Sequence, residues 1–341
     1  MNYKRRKHAY CTLFDSNYAD KGLVMIDSLL EKNDSETFVL CMDDLCFDII
    51  KGERFPNVIG IPLHDFMDKE LFGIVNERSR GEFCWSCTGK LIKYVLDNYE
   101  YEYCTYVDSD LYFYDNPDSL IEEMVASECS VQVVPHRYPD TKFWKSVEAQ
   151  SGANCVQFNT FSNENKSREL LDEWIDKCID KCSYIDGGDQ KYTSQWGELP
   201  YVNISKNEGA GVAPWNIQKY KLDSINPIII KDRKTQKKSR VIFYHFQGIE
   251  YNDRRSVNIR VRNRIEIIDM KLIRILYTDY LEKIERKKSY LSKKYNVLPM
   301  YSHSSGLLKD KKNNLKSFKA IIYWVITYFN TKLDTLYLSS N

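Results

Sequence analysis

Asp108-Ser109-Asp110 closes the run Tyr103-Cys104-Thr105-Tyr106-Val107, whose aromatic and β-branched side chains predict a strand entering a core. Two carboxylates one residue apart at the end of a buried strand present hard oxygen ligands where open α/β sheets place their ligands. A divalent cation held there neutralises a diphosphate, the leaving group of a nucleotide-activated substrate. His245 ends a second apolar run, Val241 to Phe246, shortly before Gly248. A neutral imidazole is a good further ligand for a cation already held by two carboxylates, and glycine lets backbone approach a phosphate closely. Each feature also has an ordinary structural alternative, since paired acids form solvated turns and a histidine beside an apolar strand can simply be packed.

The first strand exits through Phe14-Asp15-Ser16-Asn17-Tyr18. Asp15 and Asn17 can hydrogen-bond a nucleobase edge and Tyr18 can stack on it; an Asx turn with a helix cap is the alternative. In Gly187-Gly188-Asp189-Gln190 two glycines permit a tight turn that projects Asp189 and Gln190 into a cleft. The loop Gly209-Ala210-Gly211-Val212-Ala213-Pro214-Trp215-Asn216 has neither the Walker nor the dinucleotide spacing, and Trp215 is its candidate for contact with a sugar. Cys84 and Cys87, taken with Cys178 and Cys182, match no standard zinc-finger spacing, and the second pair continues a helix's apolar stripe.

These groups need a sheet to position them, and the first 250 residues alternate strand-like and helix-like signals as an α/β domain does. Strands are expected at His8 to Phe14, Thr37 to Cys41, Asn57 to Ile61, Tyr103 to Val107, Ser130 to Val134 and Val241 to Phe246. Helices are expected at Lys21 to Lys32, Lys90 to Asn98 and Arg168 to Cys182, the last with a stripe of Leu170, Leu171, Trp174, Ile175, Cys178 and Cys182. Beyond Gly248 the chain becomes Arg-rich. Lys271 to Lys294 reads as a charged amphipathic helix, Leu298 to Gly306 as a linker and Ser317 to Leu338 as a last helical stretch. The division expected is a catalytic domain over 1–250 and a basic helical region over 251–341.

Of 341 residues, 43% are hydrophobic and 13% aromatic, which excludes a disordered chain. The basic start, Met1 to His8, leads into a strand-like run with no apolar core of a secretory signal, and no stretch of about 18 apolar residues suits a membrane span. The ten cysteines, between Cys11 and Cys182, show no compact disulfide framework, so a reduced, cytoplasmic setting is expected. The net charge of +1 conceals an asymmetry: residues 231–341 carry 25 Lys/Arg against 10 Asp/Glu, and residues 1–230 carry 24 against 38. Two oppositely charged parts suggest two tasks. No recognised nucleic-acid motif accompanies the basic part, so nucleic acid is not expected as a partner.

Together these segments resemble a nucleotide-sugar-dependent glycosyltransferase of the GT-A fold, most similar to glycosyltransferase family 8, along most of residues 8–250. Phe14-Asp15-Ser16-Asn17-Tyr18 matches the family's opening D-x-N-Y, Val107-Asp108-Ser109-Asp110 its D-x-D, Asp189-Gln190 its D-Q and His245-Phe246-Gln247-Gly248 its H-x-x-G. Lys90 falls where the family has a basic residue ahead of the metal motif, and Gly152-Ala153-Asn154 lies near its Asn-bearing sugar loop. The Lys-Pro-Trp that follows H-x-x-G in many members is absent. Ile249-Glu250-Tyr251 stands there, which leaves Arg254 or Arg255 as substitutes for the phosphate-binding lysine.

The resemblance implies a Rossmann-like, mostly parallel central sheet flanked by helices, with a basic helical extension. It implies Mn²⁺ or Mg²⁺ on Asp108, Asp110 and His245. Asp15, Asn17, Tyr18, Lys90, Asp108, Ser109 and Gly248 would then contact the nucleotide, Asn154 or Trp215 the donor or acceptor sugar, and Asp189 and Gln190 the reacting centre. The expected reaction moves a sugar from a UDP-sugar, with retention, to a glycan or lipid-linked acceptor in bacterial O-antigen, capsule or lipopolysaccharide assembly. The alternatives are an inverting enzyme with Asp189 as base and a sugar-nucleotide-binding homologue without activity. A nucleotidyltransferase is disfavoured by the lack of a Gly- and Lys/Arg-rich phosphate loop near the amino terminus. The basic, aromatic carboxyl-terminal part suits an anionic membrane surface, placing the protein peripherally at the inner face of the cytoplasmic membrane.

Overall fold

β1 (His8–Phe14) is buried at every position, as a strand covered on both faces must be. Its odd-numbered residues Ala9, Cys11 and Leu13 join one apolar cluster, while Tyr10 and Phe14 join another on the opposite face. The computed structural model describes residues 8–251, 256–261, 268–298 and 335–337.

β1 pairs in parallel with β2 (Glu36–Cys41) and β4 (Tyr103–Val107), and β2 pairs in parallel with β3 (Val58–Pro62). Beyond β4 the sheet continues through β7 (Asn154–Ser162) and β6 (Val131–Pro135) to β8 (Val202–Ile204), giving the order β3-β2-β1-β4-β7-β6-β8. Only β7 runs antiparallel to its neighbours. The chain builds outward from β1 in one direction through β2 and β3, then returns to lay β4 on the other side. The crevice beyond the carboxyl ends of β1 and β4 is thus a topological switch point, where open α/β sheets bind ligands.

Helices cover both faces. α1 (Ala19–Leu30), α2 (Asp44–Glu53) and α6 (Asp118–Ala126) pack on the Tyr10 side, and α5 (Arg80–Asn98) with α8 (Asn165–Asp180) pack on the Cys11 side. Three further helices, α3 (Leu63–Phe66), α4 (Lys69–Ile74) and α7 (Lys142–Ser151), lie in the connections. β9 (Tyr220–Ser224), β10 (Ile229–Asp232) and β11 (Lys238–Arg240) form a small antiparallel sheet, and β5 (Leu111–Phe113) pairs with β12 (Phe243–His245). The expected α/β architecture, a mostly parallel sheet flanked by helices, is present.

β13 (Glu250–Tyr251) and β14 (Ser256–Asn258) form an edge to which β15 (Thr335–Tyr337) adds. The stretch Ser317 to Leu338 was expected to be helical, and at 335–337 that expectation is wrong. Pairing with β14 supplies the backbone partners that a local helix would otherwise provide. The remainder of that stretch, the linker beyond Leu298, and Arg254 and Arg255 lie outside the described residues. α9 (Met270–Tyr295) forms where the periodicity places it, burying Leu272, Ile273, Leu276, Tyr277, Tyr280, Leu281 and Ile284. Among the described residues no helix is long and apolar enough to cross a membrane.

One helix start and one strand differ from the sequence reading for identifiable reasons. α5 starts at Arg80, well before Lys90, because Ser79 and Glu82 form a capping box that secures a first half containing Gly81, Ser86 and Gly89. β7 was not anticipated. Gln157, Asn159 and Thr160 break its apolar pattern, yet all three are buried between β4 and β6.

Candidate functional site

β4 delivers Asp108 to the crevice, and the chain turns at once into β5. Antiparallel pairing of β5 with β12 sets His245 opposite Leu111, and Phe246 donates its backbone N–H to the Asp110 carbonyl at 2.9 Å. That register carries His245 to the acids: its Nε2 lies 3.0 Å from Asp110 Oδ1 and 3.8 Å from Asp108 Oδ2. One ligand atom from each of Asp108, Asp110 and His245 falls within 4.8 Å of the others, the one such cluster among the described residues.

The chemistry of this donor set fits a divalent cation. His245 Nδ1 bonds Gln157 Oε1 at 2.8 Å, which keeps the proton on Nδ1 and turns Nε2 toward the acids. The edge of Trp215 flanks the imidazole, with ring centres 5.2 Å apart, and Trp215 donates its indole N–H to the His136 carbonyl. Burial pushes Asp108 up to about 6, with His245 pulling it down and Asp110 pushing it further up. Burial acts the same way on Asp110, but the charge and hydrogen bond of His245 outweigh it and hold Asp110 below the usual carboxylate range. For His245 burial opposes the charge, yet Asp110 above all holds the imidazole well above its ordinary value.

Beside the cluster lies a cleft of ≈ 240 Å³, lined among others by Asp108, His245, Tyr106, Thr88, Asp189 and Gln190. Asp189 is 4% exposed, and burial together with the negative charge of Asp108 pushes it up to about 7, against the Thr88 hydroxyl and the Gln190 N–H. The two glycines before it have positive φ, +86° and +68°, and a Cβ on Gly188 would come 3.1 Å from the Trp85 ring. The tight turn expected there is present, and it delivers Asp189 and Gln190 to the same cleft as Asp108 and His245.

At the exit of β1, Asp15 serves as the cap that the structural alternative foresaw: its Oδ1 accepts from the Tyr18 N–H at 2.9 Å. Its second oxygen meets Arg80 Nε at 2.5 Å, and Arg80 also reaches Asp43. Asn17 and Tyr18 are exposed at the rim. Ser109 is buried within the turn, and Gly248 has φ +77°.

Three expected contacts are directed elsewhere. Lys90 Nζ pairs with Asp68 and with Glu70, the latter at 2.6 Å, on the α4 side. Asn154 begins β7 and does not lie on a loop; buried, it donates Nδ2–H to the Thr193 carbonyl at 2.7 Å. Trp215 is 7% exposed and backs His245. The sequence reading missed Gln157, Tyr106, Thr88 and Arg80. The first three lie inside buried elements, where their polarity was the only available signal.

No protein-family model matches the chain. Two proteins of Bacillus subtilis (strain 168) are similar to it over most of its length. Uncharacterized protein YfnD is 27% identical over 286 residues, covering 81% of this chain and 88% of the relative. Uncharacterized protein YfnF is 25% identical over 303 residues, covering 84% and 96%. Among solved structures, the chain is similar to mouse xyloside xylosyltransferase 1 in its apo form, with a TM-score of 0.46, 14% identity and coverage of 71% of this chain and 98% of the other. It is similar to the galactosyltransferase LgtC in complex with donor and acceptor sugar analogs, with a TM-score of 0.46, 15% identity and coverage of 70% and 87%. It is also similar to the apo form of the glycosyltransferase GlyE of Streptococcus pneumoniae TIGR4, with a TM-score of 0.47, 12% identity and coverage of 85% and 64%.

Proposed function

We propose that this chain is a metal-dependent glycosyltransferase of the GT-A type that uses a nucleotide-sugar donor, with UDP as the nucleotide. The observation that carries the reading is the meeting of Asp108, Asp110 and His245 at the carboxyl end of β4, on one side of a cleft that also holds Asp189 and Gln190. Mn²⁺ or Mg²⁺ bound by these three ligands would stabilise the negative charge that develops on a departing diphosphate.

The chain's own groups divide the remaining work. Gln157 keeps Nε2 of His245 turned toward Asp108 and Asp110. Asn17 and Tyr18 at the rim, with the Asp15–Arg80 pair behind them, meet the base. Ser109 and Gly248 flank the two strands at which the phosphates would lie. Gln190 orients the sugar, and Asp189 faces it from a site where burial holds a proton near neutrality. A specific observation also favours a second reading, inversion with Asp189 as general base, because a carboxyl pushed up to about 7 is poised for proton transfer at neutral pH. The anomeric configuration of the product, read by NMR, separates the two.

For the acceptor we propose a glycan or lipid-linked sugar of bacterial cell-surface polysaccharide assembly, reached at an anionic membrane face through residues 251–341. The charge asymmetry between the two parts of the chain supports this. Incubation with Mn²⁺ and a panel of UDP-, GDP- and TDP-sugars, scored by slow hydrolysis, tests the donor reading. UDP release from at least one sugar is expected, and inertness toward every donor would refute it.

A further inference from the structure

Lys21 lies in the first turn of α1, and Lys288 lies on the face of α9; each is only 9% exposed. A buried ammonium group costs several kcal/mol in desolvation unless something compensates it. Lys288 has Glu285 at 3.2 Å and the Tyr251 ring centre at 2.7 Å. Lys21 makes no ion pair within 4.0 Å among the described residues, and its Nζ rests 3.7 Å from the centre of the Tyr18 ring. Burial pushes both groups below the usual lysine range, and the charges of Asp110 and Asp20 pull Lys21 part of the way back. Lys21 in turn helps to hold Asp110 ionised, and Lys288 acts on both Asp20 and Lys21. The two cations are therefore neighbours across Asp20, beside the candidate metal ligands. Tyr18 puts no side-chain cap on α1; the Ala19 N–H donates to the Ser16 carbonyl and the Lys21 N–H to Asp20 Oδ1 at 2.8 Å, so the start of the helix adds only the positive end of its dipole to the same region.

We propose that Lys21 and Lys288 form the wall that receives the diphosphate of the donor, an assignment that rests on the nucleotide-sugar reading above. A diphosphate approaching Asp108, Asp110 and Asp20 meets three carboxylates, and these two ammonium groups offset that repulsion. Charge-assisted hydrogen bonds to phosphate oxygens add the direct anionic partner that Lys21 lacks among the described residues. The lysine missing after Gly248 is then supplied in space by α1 and α9.

The test is calorimetric titration of UDP and of uridine, both with Mn²⁺, into the full-length protein, Lys21→Met, Lys21→Arg and the double variant Lys21→Met/Lys288→Met. We expect UDP affinity to fall about tenfold or more in Lys21→Met and further in the double variant, with uridine affinity unchanged. The thermal midpoint without ligand stays level or rises in Lys21→Met, because an apolar chain replaces a buried charge, and Lys21→Arg keeps most of the UDP affinity. Wild-type UDP affinity in Lys21→Met overturns the assignment and leaves the nucleotide-sugar reading standing. So does an equal loss for uridine, a large drop in thermal midpoint, or equal behaviour of Lys21→Met and Lys21→Arg. If the wild type binds no nucleoside diphosphate with Mn²⁺ present, the functional reading fails and the assignment falls with it.

Discussion

A proton and a cation compete for Nε2 of His245 beside the two carboxylates, and the competition has a pH signature. The imidazole is held well above its ordinary value, so at neutral pH it carries a proton on Nε2 that a metal must displace. Mn²⁺ affinity should therefore rise with pH until His245 is neutral unaided, and should fall more steeply below about 6, where Asp108 also takes up a proton. Titrations in two buffers of different ionisation enthalpy read the released proton directly; a pH-independent affinity would exclude His245 as a ligand. Asp189→Asn should lower transfer by about 10²- to 10⁴-fold if Asp189 moves a proton, while preserving Mn²⁺ binding, because it removes a negative neighbour of Asp108 and no ligand. At this scale the sequence is readable where a polar group ends an apolar run, as at Asp108, Asp110 and His245, or follows a pair of glycines, as at Asp189. It is not readable where a polar group sits inside an apolar run. Gln157 acts on His245 only because β7 lies antiparallel beside β4, a pairing that no local pattern announces.

β12 reaches the site as part of an aromatic stack. Phe246, next to His245, lies flat on Tyr280 of α9, with centroids 3.6 Å apart and planes 7° from parallel, and Tyr244 bonds Tyr277 through their hydroxyls. α9 is thus a structural support for the candidate ligand and not a free appendage. Tyr280→Ala should lower stability by about 3–5 kcal/mol, read from the urea midpoint, and should weaken Mn²⁺ binding by loosening the β12 end. An unchanged midpoint would mean that α9 does not brace the site. α9 was legible because its apolar residues recur every three or four positions over many turns. The carboxyl-terminal strand β15 was not, because three residues carry no period and their partner β14 is distant in sequence. α5 was legible only in its second half, its first half being secured by a cap and not by propensity.

For the whole molecule, the organising fact is the division of charge, acidic through residue 230 and basic beyond it. Lys309, Lys311, Lys312, Lys316 and Lys319 precede Ile321-Ile322-Tyr323-Trp324-Val325-Ile326, a sequence suited to a headgroup boundary, and each basic residue near an anionic surface contributes about 1 kcal/mol. A truncation after Gly306 keeps α9 and every candidate site residue. It should still hydrolyse a UDP-sugar, yet sediment far less with anionic liposomes; equal sedimentation would remove the support for a lipid-linked acceptor. The central claim concerns the cation at the switch point between β1 and β4. It is tested most directly by following UDP release from UDP-sugars before EDTA, after EDTA and after return of Mn²⁺, in the wild type and in Asp110→Ala. The expected result is activity that EDTA abolishes and Mn²⁺ restores in the wild type, with none in a folded Asp110→Ala. Full release in EDTA, or by Asp110→Ala, would contradict it.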